Sequence, residues 1–532
     1  MNYKHFGVML DCSSNGVLKV ETVKKHIDIL SKMGYNCIQL YTEDTYEIDG
    51  EPWFGYLRGR YTKEEIKEMD AYALSKGVEL IPCMQTLAHL PAVKKNYAMQ
   101  HLFDIDNILL CGEEKTYEFI DKCFSSLAEC FISRTVNIGM DEAHNLGRGK
   151  YLSKHGYKNQ FDIFTDHLTR VCSIAEKHGF KPIMWSDMFF RIGNDGAYTR
   201  KGARIPKDVQ KKIPESVDLV YWEYMERESD IYDDMLVAHK ETNRNVWFAG
   251  SCWSHLGFGT FNNECVLRMG KAMQSVINNN IENVIITLWG SCGMDVSYFG
   301  YLPALYAIRK IADGETDTAK IKAGFKKLFG YDYDEYCLLD LPNVVPGKKV
   351  DFWADAVPYT MFYQDLFMGY FDKDYENTVT HLPLEQYSKK THAVKDKMGE
   401  FSYLFDLNEK LFDFMSVKTE LGIKTRKAYK ANDKSRVREL LADYDESVAR
   451  LREYIKVRRT AWLREYKGFG MEIVDTRLGG LERRIISCKE RLVSWLSGEI
   501  DRIEELEAEL LPVEREAFYD LYQNVLSRGR LI

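Results

Sequence analysis

Short apolar runs alternate with amphipathic stretches along the first 320 residues. Phe6–Asp11, Asn36–Tyr41, Glu79–Cys83, Thr135–Gly139, Lys181–Trp185, Val217–Trp222, Asn245–Ala249 and Asn283–Trp289 are predicted strands. Between most of them, apolar positions recur at helical spacing, as in Val23–Met33, Lys63–Ser75, Thr116–Cys130, Phe161–His178, Asp230–Lys240 and Glu264–Asn278. Nearly continuous apolar strands, each followed by a helix, imply parallel pairing with both sheet faces covered. Eight such units in roughly 300 residues predict an α/β fold, a (β/α)8 TIM barrel. An open doubly wound sheet would call for a Gly-rich phosphate loop after its first strand, and none follows here.

The tail has a different pattern. Val437, Leu440, Leu441, Tyr444, Val448, Leu451 and Ile455 lie at helical spacing, as do Leu481, Ile485, Cys488, Leu492 and Trp495. Ile500, Ile503, Leu506 and Leu510 extend the stripe beyond Gly498. Of 12 prolines only Pro512 lies beyond Pro383, so long helices meet few breakers. The expected organisation is a catalytic barrel over 1–320, a connecting segment over 321–345, and an all-α C-terminal domain over 346–532.

Composition narrows the function classes. With 45% hydrophobic and 29% charged residues the chain is an ordinary globular protein. A net charge of -8 disfavours nucleic acid as a partner. No apolar stretch has the length of a membrane span, and Met1 to His5 lacks a signal-peptide layout, so a cytoplasmic location is expected. The 12 cysteines are scattered without a C-x-x-C pair, the pattern of small buried hydrophobes in a reducing compartment.

Active sites of such barrels lie at the C-terminal strand ends. Glu43 and Asp44 follow the second strand and His89 the third; Asp141, Glu142 and His144 follow the fourth. Trp185 and Asp187 end the fifth, and Trp222, Glu223 and Tyr224 the sixth. Trp253 and His255 follow the seventh, and Trp289 and Asp295 the eighth. Four of nine tryptophans thus sit around one mouth. Indole faces suit the C–H face of a pyranose or a ligand methyl. Two adjacent acids, Asp141-Glu142, end an apolar strand; a lone pair of this kind is ordinarily a solvated turn, but indole walls would desolvate an acid and hold it protonated. His89, His144 and His255 offer a metal alternative, without H-x-H or H-E-x-x-H spacing.

At these residues the chain resembles glycoside hydrolase family 20, the β-N-acetylhexosaminidases. The fourth-strand segment Asn137-Ile-Gly-Met-Asp-Glu-Ala-His144 carries the G-x-D-E signature. Met9–Ser13, Leu40–Gly50, Tyr56–Glu65, Pro82–Leu90, Met184–Phe190 and Leu288–Gly290 also match. Phe469–Arg484 looks like the helical C-terminal domain of one bacterial branch. The resemblance implies exo-hydrolysis of terminal β-linked GlcNAc or GalNAc, with retention, through an oxazolinium formed by the substrate's own acetamido group. It implies Glu142 as general acid and base and Asp141 as the group orienting the acetamido N–H. Trp185, Trp222 and Trp289 would wall the acetamido pocket, Trp253 would lie near the sugar ring, and Tyr224 would donate to the acetamido oxygen. No metal or organic cofactor is implied. The partner is a small-molecule or glycan substrate.

Three positions depart from the family pattern. Phe6 stands where an arginine commonly grips the sugar hydroxyls; Gln85-Thr-Leu-Ala-His89 replaces D-x-P-G-H, leaving His89 without its usual acidic partner; and Ser291 stands where an acid follows the eighth-strand tryptophan. Glu43, Asp44 and Asp295 are the candidate replacements for hydroxyl recognition. The alternatives are a retaining β-glycosidase with a carboxylate nucleophile on the same barrel, and a non-catalytic sugar-binding protein.

Overall fold

The computed structural model describes residues 2–255, 257–290, 293–346, 357–380 and 382–512. Eight parallel strands close into a barrel in sequence order: β1 (His5–Asp11), β2 (Cys37–Tyr41), β3 (Glu79–Cys83), β4 (Thr135–Asn137), β5 (Lys181–Trp185), β6 (Asp218–Trp222), β7 (Val246–Ser251) and β8 (Asn283–Leu288). Closure runs through β1 and β8, with Leu10 opposite Leu288. Alternation sorts the side chains: Met9, Ile81, Cys83, Ile183, Val220 and Ile285 fill the barrel interior, while Val8, Leu10, Ile38, Leu40 and Leu80 belong to the outer core shared with the helices.

β4 ends two residues earlier than its apolar run predicts. Gly139 and Met140 take left-handed conformations, φ 71° and 77°, and swing the following two acids over the mouth. The predicted connector 321–345 is itself largely helical. It contains most of Thr318–Phe329, then Tyr333–Tyr336 and the 3-10 turn Cys337–Asn343. Phe325 packs on Tyr306 of the last barrel helix, and Asp340 accepts hydrogen bonds from Thr260 and Asn262.

Beyond it lie helices, dominated by Lys434–Glu465 and Met471–Ser497. The Asp433 side chain caps the first by accepting from Arg436 N at 2.9 Å, and Gly498 ends the second at φ 77°. The stripe predicted over Ile500 to Leu510 is not a long helix. Only Glu504–Glu507 is helical, although Ile503 and Leu506 are buried. The reason is Arg426, whose guanidinium takes the carbonyls of Glu505, Leu506 and Ala508 as acceptors. Among the described residues no helix is long and apolar enough to cross a membrane.

Candidate active site

The strand ends surround a cavity of about 530 Å³. It is lined by Asp141, Glu142, Glu43 and His89, by Trp185, Trp222, Trp253 and Trp289, and by Tyr224, with Asp11, Ser14, Tyr41, Arg191, Tyr198, Glu223 and His255 among the rest.

Asp141 is buried and held on both oxygens. Gln85 Nε2 donates to Oδ1 at 2.9 Å, and His89 Nε2 lies 3.2 Å from Oδ2. Burial would raise this carboxyl, but the charge and close approach of His89 and the hydrogen bond from Gln85 outweigh it and hold it below the usual aspartate value. Burial would likewise lower His89. The charge and close approach of Asp141, then the charges of Glu43 and Glu142, reverse this and raise it to about 10. His89 is therefore an imidazolium at neutral pH. Gln85 stands in place of the usual acidic partner of His89, and His89 pairs instead with Asp141, whose other oxygen accepts from Gln85.

Glu142 stands at the rim with its side chain 39% exposed, so indoles alone do not desolvate it. His89 lies 3.6 Å from one of its oxygens and Arg191 3.4 Å from the other. Arg191 in turn donates to Asp187 Oδ2 at 3.0 Å, and Asp187 accepts the Glu142 backbone N–H at 3.1 Å. Burial, then the charge of Asp141, raises Asp187 to about 7.

Trp185 and Trp289 lie 6.2 Å apart between ring centroids, and Trp222 stacks on Tyr224 at 5.2 Å. Trp289 Nε1 donates to the Tyr224 hydroxyl at 3.1 Å. Among the described residues the buried Trp185 indole N–H has no hydrogen-bond partner. The Trp253 and His255 rings meet at a tilt with centroids 4.4 Å apart, and burial lowers His255 to about 3, leaving it neutral.

Glu43 faces the cavity, with Tyr41 donating to it at 2.9 Å. Burial, supported by the nearby charges of Asp11 and Asp44, raises it to about 8 against the opposing charge of His89. Two proposed hydroxyl ligands do not line the cavity. Asp44 is buried away from it with Arg58 Nε 3.4 Å distant, and Asp295 is buried 3.7 Å from Arg458. A strand-end position assigns a residue to a barrel sector, but adjacent side chains point to opposite sides. Ser291 lies outside the described residues. His89, His144 and His255 do not form a metal site; among the described residues no group of three or more ligand-type side chains could hold an ion.

Sequence reasoning missed Asp11 and Arg191 as members of the site, and it named Asp187 at a strand end and Gln85 in a motif without giving either a role. Asp11, in the matched segment Met9–Ser13, accepts from Ser13, Ser14 and Gly290. Asp187 and Arg191 are four apart on the short helix Asp187–Arg191, a spacing that places them on one face.

The model described as glycosyl hydrolase family 20, catalytic domain, matches residues 3–229, and that of the Glycoside Hydrolase 20C C-terminal domain matches 334–524. Hexosaminidase D of Bos taurus is 25% identical over 232 residues, covering 42% of this chain and 63% of that protein. Hexosaminidase D of Homo sapiens is 22% identical over 231 residues, covering 42% and 45%. The chain thus spans less than two thirds of the length of either relative. A solved exo β-N-acetylglucosaminidase of Vibrio harveyi in complex with N-acetylglucosamine is 18% identical, covering 62% of this chain and 58% of that one, with a TM-score of 0.47. The catalytic match ends before β7, so Trp253 and Trp289 enter the site by their geometry.

Proposed function

The chain belongs to glycoside hydrolase family 20, and from that premise we propose that it is an exo-acting, retaining β-N-acetylhexosaminidase working by substrate assistance. The acetamido group of a terminal β-linked GlcNAc or GalNAc lies among Trp185, Trp222 and Trp289, with Tyr224 meeting its oxygen. That oxygen attacks the anomeric carbon as Glu142 protonates the departing glycosidic oxygen. Asp141 accepts the acetamido N–H and stabilises the positive charge of the oxazolinium. Glu142 then removes a proton from the water that opens the ring. The sugar hydroxyls face Asp11, Ser14, Glu43 and Gly290. A cytoplasmic site of action belongs to the same proposal and is supported by free, buried cysteines such as Cys37, Cys83 and Cys252.

The observation that carries this reading is how the other cavity carboxyls are engaged. A conventional nucleophile must be an ionised carboxylate with one oxygen free to reach the anomeric carbon. Glu223 Oε1 accepts the backbone N–H groups of Tyr224 and Met225, both Asp11 oxygens accept several donors, and burial favours the neutral form of Glu43. Asp141 is ionised but held on both oxygens, which suits it to orienting an N–H rather than to attack.

The test is a panel of chromogenic β-GlcNAc, β-GalNAc, β-glucose and β-galactose substrates. Hydrolysis should require the acetamido group, and a thiazoline mimic of the oxazolinium should inhibit. Comparable turnover of plain β-glucosides, or a covalent adduct trapped on a carboxylate, would favour the conventional glycosidase.

A further inference from the structure

The β8–β1–β2 side of the cavity is backed by the helical domain. The turn joining its two long helices plugs into the loops after β1 and β2. Leu18 and Tyr466 form an antiparallel bridge, Lys467 N donates to Val17 O at 2.8 Å, and Thr22 Oγ1 donates to Glu465 O at 2.7 Å. Lys467 Nζ reaches Glu65 at 2.6 Å and Arg60 O at 3.3 Å. Gly470 sits at φ 88° so close to the β1 loop that a Cβ there would lie 2.1 Å from the Asn15 carbonyl oxygen. Toward β8, the buried Arg458 donates to the carbonyls of Gly293 and Met294, both at 2.7 Å, with Asp295 at 3.7 Å. The buried Glu465 accepts from Ser297 at 2.9 Å and from Tyr403 at 2.8 Å.

These three loops carry Ser14, Glu43 and Gly290 into the cavity. The acids of the β4 end are held instead by Gln85, His89, Asp187 and Arg191, all within the barrel. The two halves of the site thus have separate supports. Phe6, at the position where the family commonly has an arginine, packs on Tyr3 and Tyr35 in the outer core and gives the cavity no polar group.

We propose that the tip of the helical hairpin positions the sugar-hydroxyl side of the cavity, with Arg458 as its central positioning residue, so that selectivity among acetamido sugars is set in part from outside the barrel. The proposal rests on the function given above. A charged hydrogen bond to two successive carbonyls fixes the path of the β8 loop, and the Gly470 contact fixes that of the β1 loop. Neither touches the acids, so the chemical step should be spared when either is disturbed.

The test uses the full chain carrying Arg458→Met, Arg458→Lys or Gly470→Ala. KM, kcat and the ratio of kcat/KM for β-GlcNAc over β-GalNAc substrates are measured, with N-acetylglucosamine affinity by calorimetry as a readout independent of turnover. Arg458→Met should raise KM about tenfold, weaken sugar binding in parallel and shift the epimer ratio, with kcat and its leaving-group dependence close to wild type. Arg458→Lys should recover much of this, because an ammonium can reach the same carbonyls. Gly470→Ala should act in the same direction and decides the matter if Arg458→Met does not fold. Affinity and epimer ratio within about twofold of wild type in a folded variant would overturn the proposal. So would a fall in kcat that steepens with poor leaving groups, since that is loss of the acid. A wild type inactive on both acetamido substrates yet binding N-acetylglucosamine would instead sink the proposed function, and the calorimetric comparison of variants would still test the hairpin.

Discussion

The chemistry of the cavity is concentrated in how two neighbouring acids are treated differently. Asp141 is buried, ionised and gripped on both oxygens, while Glu142 stands at the rim between His89 and Arg191. In the proposed mechanism the first receives charge and the second transfers the proton. Glu142→Gln should therefore reduce kcat by roughly 10²–10⁴-fold on sugar leaving groups, about 3–5 kcal/mol of barrier. The loss should be much smaller on nitrophenyl leaving groups, which need little protonation. Equal loss on both would remove Glu142 from the role of acid. A second expectation concerns His89. Its ring should show no titration by NMR across about pH 5 to 8, where an ordinary imidazole does, because Asp141 holds its proton to about 10. The folded imidazolium binds its proton more tightly than the unfolded one. The pair therefore stabilises the fold fully between the ordinary aspartate and imidazole ranges, and progressively less as pH rises through about 10 or falls below the aspartate range. In Asp141→Asn the His89 titration should move down toward the ordinary range; an unchanged titration would mean that Asp141 is not the controlling charge.

At the scale of elements, the β4 end shows why the acids stand where they do. Gly139 at φ 71° packs so closely that a Cβ would lie 2.0 Å from Gln85 Oε1, the side chain that holds Asp141. Met140 and Glu142 follow with positive φ, as do Glu43 and His89 on neighbouring loops, so backbone strain gathers at the mouth. Gly139→Ala should cost about 1–3 kcal/mol of stability and lower kcat with it, through displacement of Gln85. A variant with wild-type kcat and thermal midpoint would show that this turn has slack. Much of this level was legible in the sequence. All eight strands lie within the apolar runs or a residue or two of them, because strands buried on both faces and each followed by a helix leave a regular pattern. The tryptophans were legible for the same reason, since each ends or closely follows such a run. Gln85 and Arg191 were not, because their roles arise from contacts between different strand ends. Asp44 and Asp295 illustrate the converse. Their sectors were legible, but whether a loop side chain turns inward depends on local φ, and Asp44 turns toward Arg58 while Glu43, at φ 40°, enters the cavity. The stripe over Ile500 to Leu510 had helical spacing, yet its carbonyls are claimed by Arg426 from a distant helix.

For the molecule as a whole, the segments on either side of residue 320, where the change of apolar pattern suggests a boundary, pack against each other. Arg458 and Glu465 are buried charged groups whose partners lie wholly or partly on the barrel side, and Asp340 is buried against Thr260 and Asn262. Separating the halves would break these contacts and expose the apolar surface packed around them, such as Leu18 and Tyr466. No half should then persist once the other has melted. Thermal unfolding should appear as one transition, with helical circular dichroism and tryptophan fluorescence coincident, because Trp185 reports from the barrel, Trp462 from the helical domain, and both are buried. Loss of hydrolytic activity should follow the same curve. The barrel segment expressed without its helices should be unfolded or aggregate, since the loops after β1, β2 and β8 would lose their backing and expose Leu18 and the other apolar side chains of that face. Two resolved transitions, or a folded and sugar-binding barrel lacking the helices, would show instead that the helical domain is an independent appendage.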